Sequence, residues 1–428
     1  MWRARVCETS RVRDLPDTLK VLLVTNAVNS LGAGLVLPFL WLYLTEVRGF
    51  SEWVPATVLA VQAMTAVLGG LVWGALLDVL PRRAVLLVVM LVAALGSALF
   101  AVSSSSTTAV VAGVVYGLGV SGVGASLRVM YASTARTPKE RALVFQVDFG
   151  VFNAMAGLGV LVGGFVTTLP FGDAIDRYSL LYLSDAVTFV LTGVAVFVLI
   201  RGHEPHRVKN TSNADRPSYR SVLLDARLTA LYLTLVILLI VSVGQIRSGL
   251  PAFLTAHAGL SPLGFSVAFA LNIAAAVVVQ FLVVPHLRVV RRSRLLTAGA
   301  VASLMAWTVV AATPFVGTGP ALAMAVLATV LLAIGETLAV PITNTLVNEL
   351  VLSDARGRAN ALLSICVSTS SVIAPIIAGA LLTAWDGLGM IAVMIGASML
   401  AAILTLKTAR MIPIAVDRSG SVDEVVKT

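Results

Sequence analysis

Most of the chain is written in long apolar blocks cut by short polar ones. The blocks fall near 21–45, 54–77, 84–103, 108–131, 143–168 and 179–200, then 228–255, 264–286, 295–314, 321–345, 359–384 and 388–407. Each is long enough to cross, as a helix, a hydrocarbon layer about 30 Å thick. The pattern predicts twelve membrane-spanning helices, six on either side of the one long polar segment, Arg201 to Arg227. A transmembrane β-barrel would show short alternating segments instead of continuous apolar runs. The expected fold class is therefore an all-α integral membrane protein with two six-helix bundles. Its parts are an N-terminal segment 1–20, a bundle 21–200, a linker 201–227, a second bundle 228–407 and a tail 408–428.

Composition agrees with a polytopic helical protein. Of 428 residues, 58% are hydrophobic and only 12% charged, too few to cover a soluble domain with polar surface. The mean hydropathy is +0.96. The net charge of +9 would suit nucleic acid, but its distribution follows topology. With the N-terminus inside, only Arg48 and Arg177 of the 30 Lys and Arg residues fall in outer loops, and only Arg128 and Arg247 within spans. The outer loops carry Glu46, Glu52, Asp173, Asp176 and Asp386 instead. This partition places both termini in the cytoplasm, in the plasma membrane. The leader up to Lys20 carries both signs of charge and precedes a span too long for a signal-peptide core, so the first helix is expected to act as an uncleaved insertion signal. Arginine outnumbers lysine, and Ala, Val and Gly are heavily used, a composition that points to a GC-rich bacterial genome.

Several chemistries lack their parts. The two cysteines, Cys7 and Cys366, make neither a disulfide framework nor a metal site. No Walker loop, HExxH, GxSxG or zinc spacing occurs. His203, His206, His257 and His286 lie in loops or at span ends. The reading is a non-enzyme with no cofactor and no metal.

The loop between spans two and three reads Gly74-Ala-Leu-Leu-Asp78-Val-Leu-Pro-Arg82-Arg83. A second basic loop, with Arg288, Arg291 and Arg292, follows the second span of the other half. Likewise, Lys139-Glu140-Arg141 opens span five and Arg356-Gly357-Arg358 opens span eleven. Each of these is followed by a small-residue patch: Gly159, Gly163 and Gly164 in one, Pro375 and Gly379 in the other. Two six-helix halves related as parallel repeats are a transporter plan. With Gly74, Asp78, Arg82 and Arg83 on the expected loop, the chain resembles the major facilitator superfamily over essentially its whole length. It departs from that loop signature at Val79, where a basic residue is usual, and at Pro81, where glycine is. The span-five patch is similar to a family pattern of proton-driven antiporters, with Val160 in place of its proline. The same glycines serve close helix packing, and both readings stand. Span four lacks the family's arginine and has Gly113 to Gly117 in that stretch. Gly335-Glu336 followed by Pro341 in span ten is similar to runs in bacterial drug exporters.

Charges inside a membrane are costly and are candidates for function. They are Arg128, Asp148, Asp185, Arg247 and Glu336. Glu336, about 15 residues or roughly 22 Å into its span, is expected in the inner half, where a carboxyl suits protonation and release as access alternates. Arg128 and Asp148 lie at similar depths and could pair, as could Arg247 and Asp185. A pair that makes and breaks would be a gate, whereas a permanent one would lock two helices. Arg247 could equally attract an anionic substrate or snorkel outward. The resemblance implies that Asp78 meets the positive start of span eleven near Arg358 in the outward-facing state, with Arg82 and Arg83 on inner-loop carboxylates or helix-end carbonyls. It also implies a cavity between spans 1, 4, 7 and 10, where Asn26, Asn29, Tyr116, Gln245 and Glu336 are the polar residues. A weakly polar cavity suits amphipathic or lipophilic molecules better than sugars.

The expected function is proton-coupled export of such small molecules by a monomer in the lipid bilayer, with no nucleic-acid partner. A uniporter or proton symporter importing a metabolite is the alternative, and a non-transporting sensor a remote one.

Overall fold

The computed structural model describes residues 15–200, 224–351, 356–382, 384 and 387–418. Most of the expected linker, both chain ends, Cys7 and Asp386 lie outside the described residues. Among the described residues, twelve helices are long and apolar enough to cross a membrane. In the first half they are α1 (Asp17–Val36), α2 (Trp53–Val79), α3 (Arg82–Ala101), α4 (Ser106–Thr134), α5 (Pro138–Val166) and α6 (Ala174–Leu199). In the second they are α7 (Ala226–Leu239), α8 (Pro262–Val278), α9 (Arg292–Ala312), α10 (Thr318–Leu350), α11 (Arg356–Leu381) and α12 (Leu388–Met411). Helices dominate because backbone groups in hydrocarbon must bond within their own segment.

The ends are set by local chemistry. Ser105 with Thr108 and Asp173 with Asp176 form reciprocal capping boxes before α4 and α6. Thr137 and Ser261 accept from Glu140 N and Gly264 N, with proline opening the helix that follows each. Both devices satisfy amide donors that a helix start leaves without partners.

Successive helices cross in opposite directions. The start of α1, the α2–α3 junction and the end of α12 therefore share one side, the terminal face. The α1–α2 and α7–α8 connections lie on the far face.

Two spans expected to be continuous are broken. After Val36 the chain turns through Pro38 and resumes as Leu40–Leu42 and a π-helical turn, Tyr43–Val47. After α7 a π-helical turn, Ile240–Gly244, leads to a break at Arg247 and Ser248, and the helix resumes at Gly249–Ala258. The physical cause is proline, which lacks an N–H and crowds the carbonyl four residues earlier. Pro38 acts on Gly34 and Pro251 on Arg247. The breaks occupy matching places in the two repeats.

The halves meet through two seams, α5 against α8 and α2 against α11. Small residues allow the approach. A Cβ on Gly164 would come within 2.6 Å of Ser266 Cβ, and one on Gly379 within 2.6 Å of Ala56 Cβ. Both contacts lie toward the far face. There, Leu40–Leu42 also packs on Gly249–Ala258, and Trp41 is fully buried in the hydrophobic core of the second half. Toward the terminal face α2 comes free: Gly70 and Gly74 have open space beside them, and Leu71, Val72, Asp78 and Val79 are exposed. The molecule is closed at the far face and splayed at the terminal face.

Candidate functional site

A cavity of about 510 Å³ lies between the halves. Its blind end is built by the two helix breaks, with Gly34 and Leu37 from one and Ile246 and Arg247 from the other. Phe149 and Phe152 of α5 line it together with Phe269 of α8 and Phe281 of the π-helical turn Val279–Val283 that continues α8. The ring centroids of Phe149 and Phe281 are 6.1 Å apart. From α10 come Glu336, Thr337 and Pro341.

Pro341 removes the intrahelical donor of the Thr337 carbonyl, as Pro38 and Pro251 do for Gly34 and Arg247. Three cavity-lining residues thus each stand four positions before a proline. That arrangement leaves, beside the cavity, backbone acceptors without their usual helical donors.

Arg247 and Glu336 lie within electrostatic reach of each other. Among the described residues neither is in an ion pair within 4.0 Å or in a hydrogen bond, since the ion pairs formed are Lys20–Asp17, Arg227–Asp225 and Arg292–Glu349. Each is surrounded by protein yet open to the cavity. Their bonding capacity is therefore unspent at membrane depth, which is costly unless something supplies a partner. Glu336 also sits deeper than expected from sequence. Because α10 runs from Thr318 to Leu350, residue 336 is close to the helix midpoint and not in its terminal-face half.

The other intramembrane charges are partnered differently from the pairs anticipated. Asp148 accepts from Asn26 Nδ2 at 2.8 Å and from the Tyr131 hydroxyl at 2.7 Å. Arg128 is exposed and folds back beside Gly124. Asp185 is fully buried and accepts from Ser97 Oγ at 2.7 Å, with the Tyr116 hydroxyl beside it. Arg247 faces Glu336 and Tyr116.

None of Asn26, Asn29, Tyr116 or Gln245 lines the cavity. Asn26 is spent on Asp148, and Asn29 is buried. Tyr116 packs between Phe100 and Phe189, at 6.0 and 6.1 Å. Gln245 donates to the Ala374 carbonyl at 3.1 Å, tying the α7 break to α11. The cavity wall draws instead on α5 and α8, with Gln146, Asn153 and Asn272 its side-chain amides there and Gln280 just beyond α8. Apolar Leu, Val, Ala and Phe are what the sequence leads one to expect in the rest of the wall, but which phenylalanines form the aromatic lining was not legible there. Its one readable signal was phenylalanine at helical spacing in two spans, which core packing would equally explain.

The terminal-face loop is open in this state. Asp78 is exposed and, among the described residues, makes no hydrogen bond or ion pair. Arg83 donates to the Ile200 carbonyl at the end of α6, at 3.4 Å, and stacks over Phe197. This helix-end contact lies within one half, whereas the resemblance implies that these arginines hold the two halves together. Of the small residues, Gly159 and Gly163 lie against α1, where a Cβ on Gly159 would meet the Leu31 carbonyl at 2.2 Å. Gly164 and Gly379 lie on the seams, and Pro375 is inside α11.

The sequence profile of the Major Facilitator Superfamily matches residues 22–328 and 248–420. No curated protein matches the chain. Among solved structures, a mutant of the nucleoside transporter NupG is similar at a TM-score of 0.76 and 12% identity, covering 91% of this chain and 99% of that one. A bacterial homologue of the iron transporter ferroportin, inward-facing, is similar at 0.73 and 17%, covering 94% and 100%. A bacterial homologue of the human lysosomal transporter Spinster, inward-facing and unoccupied, is similar at 0.70 and 13%, covering 92% and 96%. At such identities the likeness is one of fold.

Proposed function

Since the chain belongs to the Major Facilitator Superfamily, we propose that it exports small amphipathic or lipophilic molecules in exchange for inward-moving protons. It is a multi-pass membrane transporter, not an enzyme. The observation that carries the finer reading is Glu336, a carboxyl at mid-helix, open to the cavity and without a bonded partner. A group that can hold a proton or a substrate's cationic group, but not both, exchanges one for the other as access alternates.

We place the terminal face in the cytoplasm of a bacterial cell, on the Lys and Arg partition. The proposed organisation is a bundle 21–200 and a bundle 228–407 rocking about the two seams, joined by the linker 201–227 and flanked by segments 1–20 and 408–428. The proposed working unit is a monomer, with both halves lining its cavity. Asp78 acts as a latch: free while the cavity faces the cytoplasm, and docked on the start of α11 when it faces out, where the helix dipole favours a carboxylate.

Import of a metabolite is the second reading, and similarity to a protein named as a nucleoside transporter favours it. Liposomes carrying the protein with the far face outward, loaded with a panel of amphipathic compounds, separate the two. With the outside acidified, substrate should leave as protons enter. Substrate entering with protons overturns export.

A further inference from the structure

The two charges in the cavity differ in what surrounds them. Around Glu336 the chemistry is that of acceptors: its own carboxylate and the Thr337 carbonyl deprived of a donor by Pro341. Of the four side-chain amides in the wall, which include Gln146 and Gln280, two have spent donors: Asn272 gives its Nδ2 to the Thr329 carbonyl at 2.6 Å and Asn153 gives its own to the Phe149 carbonyl at 2.8 Å. At the blind end Arg247 offers a guanidinium fork whose donors are unspent. Four phenylalanines share the cavity wall with them.

A cation alone would satisfy the acceptor end and leave Arg247, open to the cavity, unpaired and repelling it. An anion alone would leave Glu336 in the same position. A neutral ligand would displace water from both charges and replace it at neither. Only a molecule carrying both signs completes the bonding of both groups at no net cost in charge.

We infer that the substrate is amphoteric, with a protonated amine that docks on Glu336 and the Thr337 carbonyl, an acidic group that docks on Arg247, and an aromatic body held by the phenylalanines. This rests on reading the cavity as the transport site, and it names the class of molecule that fits. A planar guanidinium fork favours a carboxylate, which it can bind through two parallel bonds. Volume limits the size, since a cavity of about 510 Å³ takes a ligand of drug-like dimensions.

Binding in detergent tests the class independently of transport direction. The probes are two aromatic amino acids, 2-naphthylalanine and biphenylalanine, each as the free zwitterion, the cationic amide, the anionic N-acetyl acid and the neutral N-acetyl amide. Calorimetry should show each zwitterion binding at least about tenfold tighter than its capped forms, the difference one charge-assisted contact makes. Arg247→Gln should bring the zwitterion level with the cationic amide. Glu336→Gln should bring it level with the N-acetyl acid. The charge-swapped double variant, Arg247→Glu with Glu336→Arg, should restore the zwitterion preference, which also shows that the single variants lost a charge and not the fold.

The inference is overturned if neither zwitterion binds, if an amide or a neutral form binds as tightly as the zwitterion, or if the swapped pair shows no preference. Zwitterion binding without proton-driven efflux would instead remove the export reading and leave this one standing.

Discussion

At the residue scale, the decisive property of Glu336 and Arg247 is what they lack. Most polar side chains in the spans are satisfied locally, as Thr25, Ser30 and Ser242 are by carbonyls one turn back. The cavity pair is not. Glu336→Gln keeps the shape and removes the titrating group, so proton-coupled exchange should fall to background in liposomes while the protein still elutes as a folded monomer; undiminished exchange would take the proton role from Glu336. Asp78→Asn should slow turnover by about three- to tenfold, the value of one carboxylate at a helix start, without reducing the amount inserted; an unchanged rate would leave the loop a topological signal only. The sequence exposed the charges, because charged letters stand out in apolar blocks. It did not expose their partners. Asn26 and Asp148 are 122 positions apart, and which face of a helix each occupies depends on rotations that no local pattern records.

At the element scale, twelve helices were legible from length and hydropathy alone, but their ends, set by caps such as Ser105, Thr137 and Asp173, run several residues beyond the apolar blocks. The breaks in spans one and seven were not legible. Pro38 and Pro251 sit inside apolar blocks, where a proline can kink, break or be tolerated, and only packing decides which. The far-face segment after the first break carries its own control. Trp41 Nε1 donates to Glu52 Oε2 at 2.7 Å. Burial lifts the Glu52 carboxyl above its usual range, and the Trp41 donor offsets only part of that. Partial burial of the Glu46 carboxyl lifts it as well, and the charge of Glu52 adds to the effect.

A carboxyl with a raised value in the closed arrangement binds its proton more tightly there than after opening returns it to water. The closed arrangement is therefore favoured as far-face pH falls through the window between the raised and ordinary carboxylate values, and loses that advantage above it. A cysteine in place of Val79, exposed on the splayed face, should react faster with a water-soluble maleimide as the pH on the far side is lowered, in a background free of Cys7 and Cys366. Glu52→Gln should flatten the dependence. A slope that survives in this variant would place the sensing group elsewhere.

At the scale of the whole molecule, closure at the far face is a matter of two small-residue contacts. Gly164 meets Ser266 and Gly379 meets Ala56, one on each seam. A leucine at either glycine cannot be accommodated without moving a helix, so Gly379→Leu should wedge the far face apart and draw the terminal face shut. Labelling at position 79 should then fall, by up to about fivefold for each kcal/mol by which overpacking shifts the equilibrium. Gly159→Leu, on the α1–α5 contact inside one half, should lower thermal stability by a similar energy without that change in labelling. Equal effects from the two would mean that the seams are no more than packing. The repeat made the small-residue patches visible in sequence, but not that one glycine of each faces the opposite half, because the pattern of small residues is the same whether the neighbour belongs to the same bundle or the other.

Trp41 gives the molecule an optical consequence. Its indole comes from one half and lies in the core of the other, whereas Trp73 and Trp307 donate to the Leu118 and Val241 carbonyls of their own halves. Rocking leaves those two in constant surroundings and carries Trp41 from hydrocarbon into water. With Trp2, Trp53 and Trp385 replaced by phenylalanine, a red shift in ultraviolet emission should accompany each opening of the far face, so that the dwell times of the turnover cycle could be read from the unlabelled protein.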